Sequence, residues 1–213
     1  MPRVKVPLLP SFPPSAAPAV LWTEPFDALT PQQWREVDVH GRTSYETVTL
    51  DGRSCLKAHS VSAASALLHP VRFNPKTYPW FSWSWRVERF VAAEALERKE
   101  GSDASARVYV YFDTKGLPWQ QRSIDYVWSA SLASGTLLNS AFSSISKIIV
   151  VETGADVGQW RMVERNLEED YRRCFAGDPT DVVAIGIMTD TDNTAGEAVA
   201  YYDDLHISKA RKE

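Results

Sequence analysis

An all-β fold, an antiparallel jelly-roll-like β-sandwich with one inserted α-helix at about residues 166–176, is what three observations in the sequence predict. Short runs of alternating apolar and polar residues recur along most of the chain, separated by Gly, Pro, Asn and Asp. The 213 residues include eight Trp, eight Tyr and eight Phe, types that strands favour. Helical periodicity is strong in one stretch alone, whereas a parallel α/β sheet needs a helix after nearly every strand.

Taken in order, Leu21 to Phe26 reads as a first strand, and Asp27 to Trp34 as a turn or short helical piece started by Thr30-Pro31. Glu36 to Val39 is a short strand. Tyr45 to Leu50 alternates, Asp51-Gly52 signals a hairpin, and Cys55 to Ser60 is the return strand. Ala66 to Pro70 is a further short strand. Trp80 to Glu88 is the clearest: Phe81, Trp83, Trp85 and Val87 form an apolar face, with Ser82, Ser84, Arg86 and Glu88 opposite. Val91 to Gly101 is a charged connection. Arg107 to Asp113 is a strand, followed by a loop at Lys115 to Pro118. Ser123 to Ala130 and Lys147 to Glu152 are strands.

The helix runs from Asn166 to Gly177. Leu167, Tyr171, Cys174 and Phe175 share one face, Asn166 caps the start with Glu169 completing a capping box, and Gly177 and Pro179 end it. Asp181 to Met188 is a buried strand, Thr189 to Gly196 a polar loop, and Val199 to Ser208 the final strand. No internal repeat or second-domain boundary is visible, so 21–209 reads as one domain after a proline-rich tail or linker at 1–20. That tail lacks the apolar core of a secretory signal.

A formal charge of -4 argues against a general nucleic-acid binder, which shows a basic face. No run of about 18 apolar residues exists to span a membrane. Cys55 and Cys174 read as two free, buried thiols, and no Cys/His cluster suggests zinc.

The functional expectation centres on Arg107 to Asp113. Val108, Val110 and Phe112 face a core, while Arg107, Tyr109, Tyr111 and Asp113 face the other way. If this strand neighbours Ser82 to Glu88 in one sheet, Arg86 and Arg107 share a face. Two guanidiniums beside tyrosines suit a carboxylated sugar or another anion, because Arg grips carboxylates in a bidentate way. Trp128 adds to the aromatic platform, and Asp190, Asp192 and Asn193 line its rim. In the competing reading the arginines pair with Glu88, Asp113 or Asp125 on an exposed sheet, where such pairs contribute about 0–1 kcal/mol. Thr189 to Thr194 can equally be self-bonded turn chemistry or a metal loop, without the Gly and Glu of an EF-hand. Glu24 with Asp203 or Asp204 can hold a structural Ca²⁺. Asp203 and Asp204 reach one site only if their strand bulges. No cofactor is required.

The expected function is therefore non-catalytic binding of a saccharide or other polar or anionic small ligand on one sheet face. One alternative is a glycan-active hydrolase or lyase using two of Glu88, Asp113 and Asp125, which would have to stand about 5–10 Å apart. Another is a structural or assembly protein using the same face as an interface; the oligomeric state is open.

The motifs Phe81-Ser82-Trp83-Ser84-Trp85-Arg86-Val87, Ala106 to Asp113, Asp125-Tyr126-Val127-Trp128, Asp170-Tyr171-Arg172-Arg173, Ile187 to Thr194 and Ala200 to Leu205 resemble those of the bacterial family DUF3047, over about residues 22–208. The resemblance implies an exported, periplasmic or secreted bacterial protein and assigns no activity; this sequence departs from it in showing no signal peptide. More loosely, the Glu-x-Phe first strand and Tyr-x-Asp-x-Leu last strand resemble jelly-roll carbohydrate-binding modules. That likeness implies that first and last strands lie together, often with calcium between them.

Overall fold

The computed structural model describes residues 18–114, 121–154 and 156–212. Most of the proline-rich tail and the loop at 115–118 lie outside the described residues. Thirteen strands and one helix are described, and the strands form two sheets. The first sheet holds β1 (Val20–Glu24), β3 (Ser44–Leu50), β4 (Arg53–Val61), β6 (Trp80–Arg89), β11 (Arg161–Asn166) and β13 (Glu197–Ser208), in the order β11-β6-β13-β4-β3 with β1 also on β13. The second holds β2 (Arg35–His40), β5 (Ala64–Phe73), β7 (Ala106–Phe112), β8 (Arg122–Ser129), β9 (Leu137–Asn139), β10 (Ser146–Thr153) and β12 (Val182–Met188), in the order β2-β5-β12-β7-β8-β10-β9.

The predicted sandwich is what forms. Its core is the alternation read outwards from the sequence: Phe81, Trp83, Trp85 and Val87 of β6 are fully buried against Ile124, Tyr126 and Trp128 of β8 and Val108, Val110 and Phe112 of β7. Aromatic rings join the layers, with Trp83 5.2 Å from Tyr126 and Trp85 6.0 Å from Trp128. Asp51 and Gly52 turn the β3–β4 hairpin at φ 54° and 80°, the left-handed values that a two-residue hairpin of this kind requires. The first strand pairs with the last, Glu24 opposite Leu205.

Two strands escape the alternation argument. β9 is three residues long, and β11 (Arg-Met-Val-Glu-Arg-Asn) buries little beyond Val163 at the edge of its sheet. One pairing also departs from the antiparallel expectation: β10 runs parallel to β8, Ile149 beside Tyr126, which is possible because the intervening chain crosses back through β9.

Helix α1 (Leu167–Phe175) matches its capping signals. The Asn166 side chain accepts from the backbone of Glu168 and Glu169 at 3.1 Å each. Leu167 and Tyr171 are buried, Cys174 and Phe175 half-buried. Asp170, unforeseen on the buried face, is tolerated because Arg165 and the Tyr126 hydroxyl donate to it. Cys55 is buried and Cys174 partly so, and both are free thiols.

Tyr202 ties the layers together. It projects from β13 through the core, where its hydroxyl donates to Met188 O at 2.8 Å and accepts from Arg107 N at 3.2 Å, with Thr189 Oγ1 at 2.9 Å. One phenol thus holds β12 and β7 of the opposite sheet.

Candidate functional site

The outward face of the second sheet carries a groove of about 430 Å³. Its floor comes from alternate residues of three central strands: Arg107, Tyr109 and Tyr111 of β7, Ser123 and Asp125 of β8, and Met188 of β12. Val37 and Val39 of β2 form one flank, and residues 140–146, leading into β10, form the other. Asp190, Asp192 and Asn193 close one end. The polar side of the Arg107 strand therefore lines an open groove with a loop for a wall.

Gly186 of β12 sits between Leu68 and Tyr109 on this face. A Cβ there would stand 2.8 Å from Leu68 Cδ2 and 3.3 Å from Tyr109 Cβ, so glycine lets these side chains close over the middle of the floor. The Tyr109 and Tyr111 rings stack, with centroids 5.6 Å apart and planes 16° from parallel. The Tyr109 hydroxyl donates to Met188 Sδ at 3.1 Å. Burial raises both phenols above their ordinary pKa, so they stay neutral.

Arg107 is held between two carboxylates. Its Nη2 lies 3.4 Å from Asp190 Oδ2 and donates to Ser102 O at 3.1 Å, and Nη1 lies 3.9 Å from Asp125 Oδ2. Burial opposes its charge, but the fields of Asp190 and Asp125 outweigh that and hold it protonated. Asp125 is raised by burial, against the pull of Arg107 and hydrogen bonds from Ser123 (2.8 Å) and Ser146 (3.0 Å). Asp190 is pushed up to about 7, by burial first, against Arg107, with Asp103 adding to the rise.

Asp103 is the residue that the sequence reading missed. Fully buried, it accepts from Asn193 N and Nδ2 and from Thr194 N and Oγ1, at 2.6–3.0 Å. The 190–194 loop is thus clasped by a carboxylate from another loop, as well as by the Asn193–Asp192 contact at 3.1 Å. A lone Asp in Gly101-Ser102-Asp103-Ala104-Ser105 gave only a faint signal, a polar residue amid small ones just before a strand.

Three expectations are corrected. Arg86 does not join Arg107: β6 and β7 belong to different sheets, and Arg86 lies on the far outer face, donating to Glu88 at 2.8 Å and Asp51 at 3.0 Å. Trp128 is no platform. It points into the core, 1% exposed, and donates to Gly154 O at 3.0 Å. The carboxylates Glu24, Asp203 and Asp204 do not meet around an ion. Glu24 accepts from Phe26 N and Trp34 Nε1 at 2.9 Å each. Asp203 and Asp204 do come together over a bulge in β13, where Asp204 has φ 54°, but the cation they share is Arg53. Among the described residues, Asp103, Asp190 and Asp192 instead form the one trio of potential metal ligands, with oxygens within 4.8 Å of one another.

The proposed catalytic carboxylates are also dispersed. Glu88 lies on the other sheet beside Arg86. Asp113, paired with Arg72, is four residues beyond Tyr109, the strand partner of Asp125, hence about 13 Å along the strand.

The family model "Protein of unknown function (DUF3047)" matches residues 32–206. The chain belongs to the DUF3047 family. Its groove strands, β2, β5, β7, β8 and β12, lie within the DUF3047 match. No curated protein matches this DUF3047 chain. Among solved structures it is similar to the family 11 carbohydrate-binding module of the cellulosomal cellulase Lic26A-Cel5E of Clostridium thermocellum, at 8% identity and TM-score 0.49, covering 93% of this chain and 99% of that one. It is similar also to the CBM22-1 xylan-binding domain of Paenibacillus barcinonensis Xyn10C, at 14% identity and TM-score 0.44, covering 92% and 100%. A family 30 carbohydrate-binding module is similar at 12% identity and TM-score 0.45, covering 91% and 95%. No helix among the described residues is long and apolar enough to cross a membrane.

Proposed function

We propose that the groove binds a saccharide without catalysis. The observation that supports this reading is the floor itself. A stacked tyrosine pair stands beside a guanidinium fixed between two carboxylates, within a cleft whose size falls in the range of about 300–1,000 Å³ used for small ligands. Flat aromatic surface matches the apolar face of a sugar ring, and fixed polar groups match its hydroxyls. Sheet strands hold these groups more rigidly than loops would, so little ordering is lost on binding. The adjoining Val37, Val39 and Phe142 are exposed apolar side chains that extend contact along the groove.

A glycan array probed with the wild type and with Tyr111→Ala tests the reading. The wild type is expected to retain a subset of glycans, and Tyr111→Ala to bind them at least about tenfold more weakly, the loss of one good stacking contact. Tyr111 is half-buried at the groove, so the variant should keep its fold by circular dichroism. A folded wild type that retains no glycan overturns the reading.

A further inference from the structure

Resting on that saccharide reading, we infer that the groove selects neutral, hydroxyl-bearing sugars and rejects uronates. Its charges carry the argument. Among the described residues, one cation, Arg107, and three carboxylates, Asp125, Asp190 and Asp192, line the groove, and the cation is already committed to two of the three. A ligand carboxylate near Arg107 would also lie near Asp125 and Asp190, and like charges brought together in a buried site repel strongly.

Hydrogen-bond chemistry points the same way. Arg107 is 6% exposed and Ser102 2% exposed, and both line the groove; Arg107 Nε and Ser102 Oγ have no hydrogen-bond partner among the described residues. Guanidinium nitrogen can only donate, and ionised carboxylates can only accept. A group that satisfies both sides must accept from one and donate to the other. A hydroxyl does so, whereas a carboxylate lacks the donor. Where buried polar groups are matched to a hydroxyl, a ligand that lacks it is strongly disfavoured.

Titration calorimetry at pH 8 and low salt, with hexose and hexuronate oligomers of equal length, tests this. The neutral oligomer should bind at least about tenfold more tightly than the hexuronate. Asp192→Asn is the control, since Asp192 lines the groove but is not paired with Arg107; it should narrow the gap between hexose and hexuronate severalfold. Equal or tighter binding of the hexuronate overturns the selectivity and leaves saccharide binding standing. A gap unchanged in Asp192→Asn overturns its electrostatic origin. Binding of neither removes the saccharide reading as well.

Discussion

Asp190 sits where the groove meets its closing loop: its backbone N–H donates to Ala104 O, its side chain accepts from Ala104 N, and it faces Arg107. Its pKa of about 7, raised chiefly by burial, gives stability a pH dependence of definite sign. In the unfolded chain the group returns towards its ordinary 3.8. Between those values the folded state holds a proton that the unfolded state has lost. The contribution is therefore full below about pH 4 and disappears as pH rises through about 7. Asp125, also raised by burial, adds in the same direction. Asp190→Asn mimics the neutral acid at every pH. The melting temperature of wild type minus that of Asp190→Asn is thus expected to fall between pH 4 and pH 8. A difference that grows with pH would show that the Arg107 ion pair dominates and that the carboxyl is held low.

The strand that shapes the groove most puts one side chain, Met188, on its floor. β12 lies between β5 and β7, and Gly186 at its middle leaves space that Leu68 and Tyr109 occupy. Gly186→Ala pushes first on the flexible end of Leu68, which can rotate, and then on Tyr109, whose stacked ring cannot shift without its neighbour. A stability loss of about 1–2 kcal/mol is expected from overpacking. Saccharide affinity should fall about tenfold, read by calorimetry beside a thermal melt. Unchanged affinity would mean that the floor does not depend on this close approach. β12 was legible as a strand from its aliphatic run, but the use of its glycine was not, because a close approach needs both neighbouring strands and a single sequence does not say which they are. The same ignorance of strand order placed Arg86 beside Arg107. Alternation separated the inner from the outer residues of β6 and β7, yet two sheets have two outer faces. The platform role given to Trp128 ran against its own strand's alternation: in β8 the polar alternation Ser123-Asp125 faces the groove, so Tyr126 and Trp128 must face the core.

Across the whole molecule, contacts between distant parts of the chain dominate. β13 is the last strand in chain order, yet it lies in the interior of its sheet, between β6 and β4, and also pairs with β1. Without it the sheet falls into β11-β6, β4-β3 and a β1 with no strand partner, all with open edges. A chain ending at residue 196 is expected to lack the cooperative melt of the full chain and to aggregate through those edges; a cooperative thermal transition in that truncation would show that the remaining strands close a core unaided. The loose resemblance of the Glu-x-Phe and Tyr-x-Asp-x-Leu motifs to jelly-roll modules implied that the first and last strands meet, and the alternation predicted the sandwich. Sequence could not reveal β9 and β11, which are short and poorly buried, nor the long-range clasp of Asp103 on Asn193 and Thr194. Tyr202 belongs to that late strand, and its hydroxyl secures the backbone of β7 and β12 directly beneath the groove. On a ribosome, every groove residue would emerge before the tyrosine that braces them. The groove is thus assembled only after translation has passed it, and a prematurely terminated chain would carry all of these lining residues without the brace beneath them.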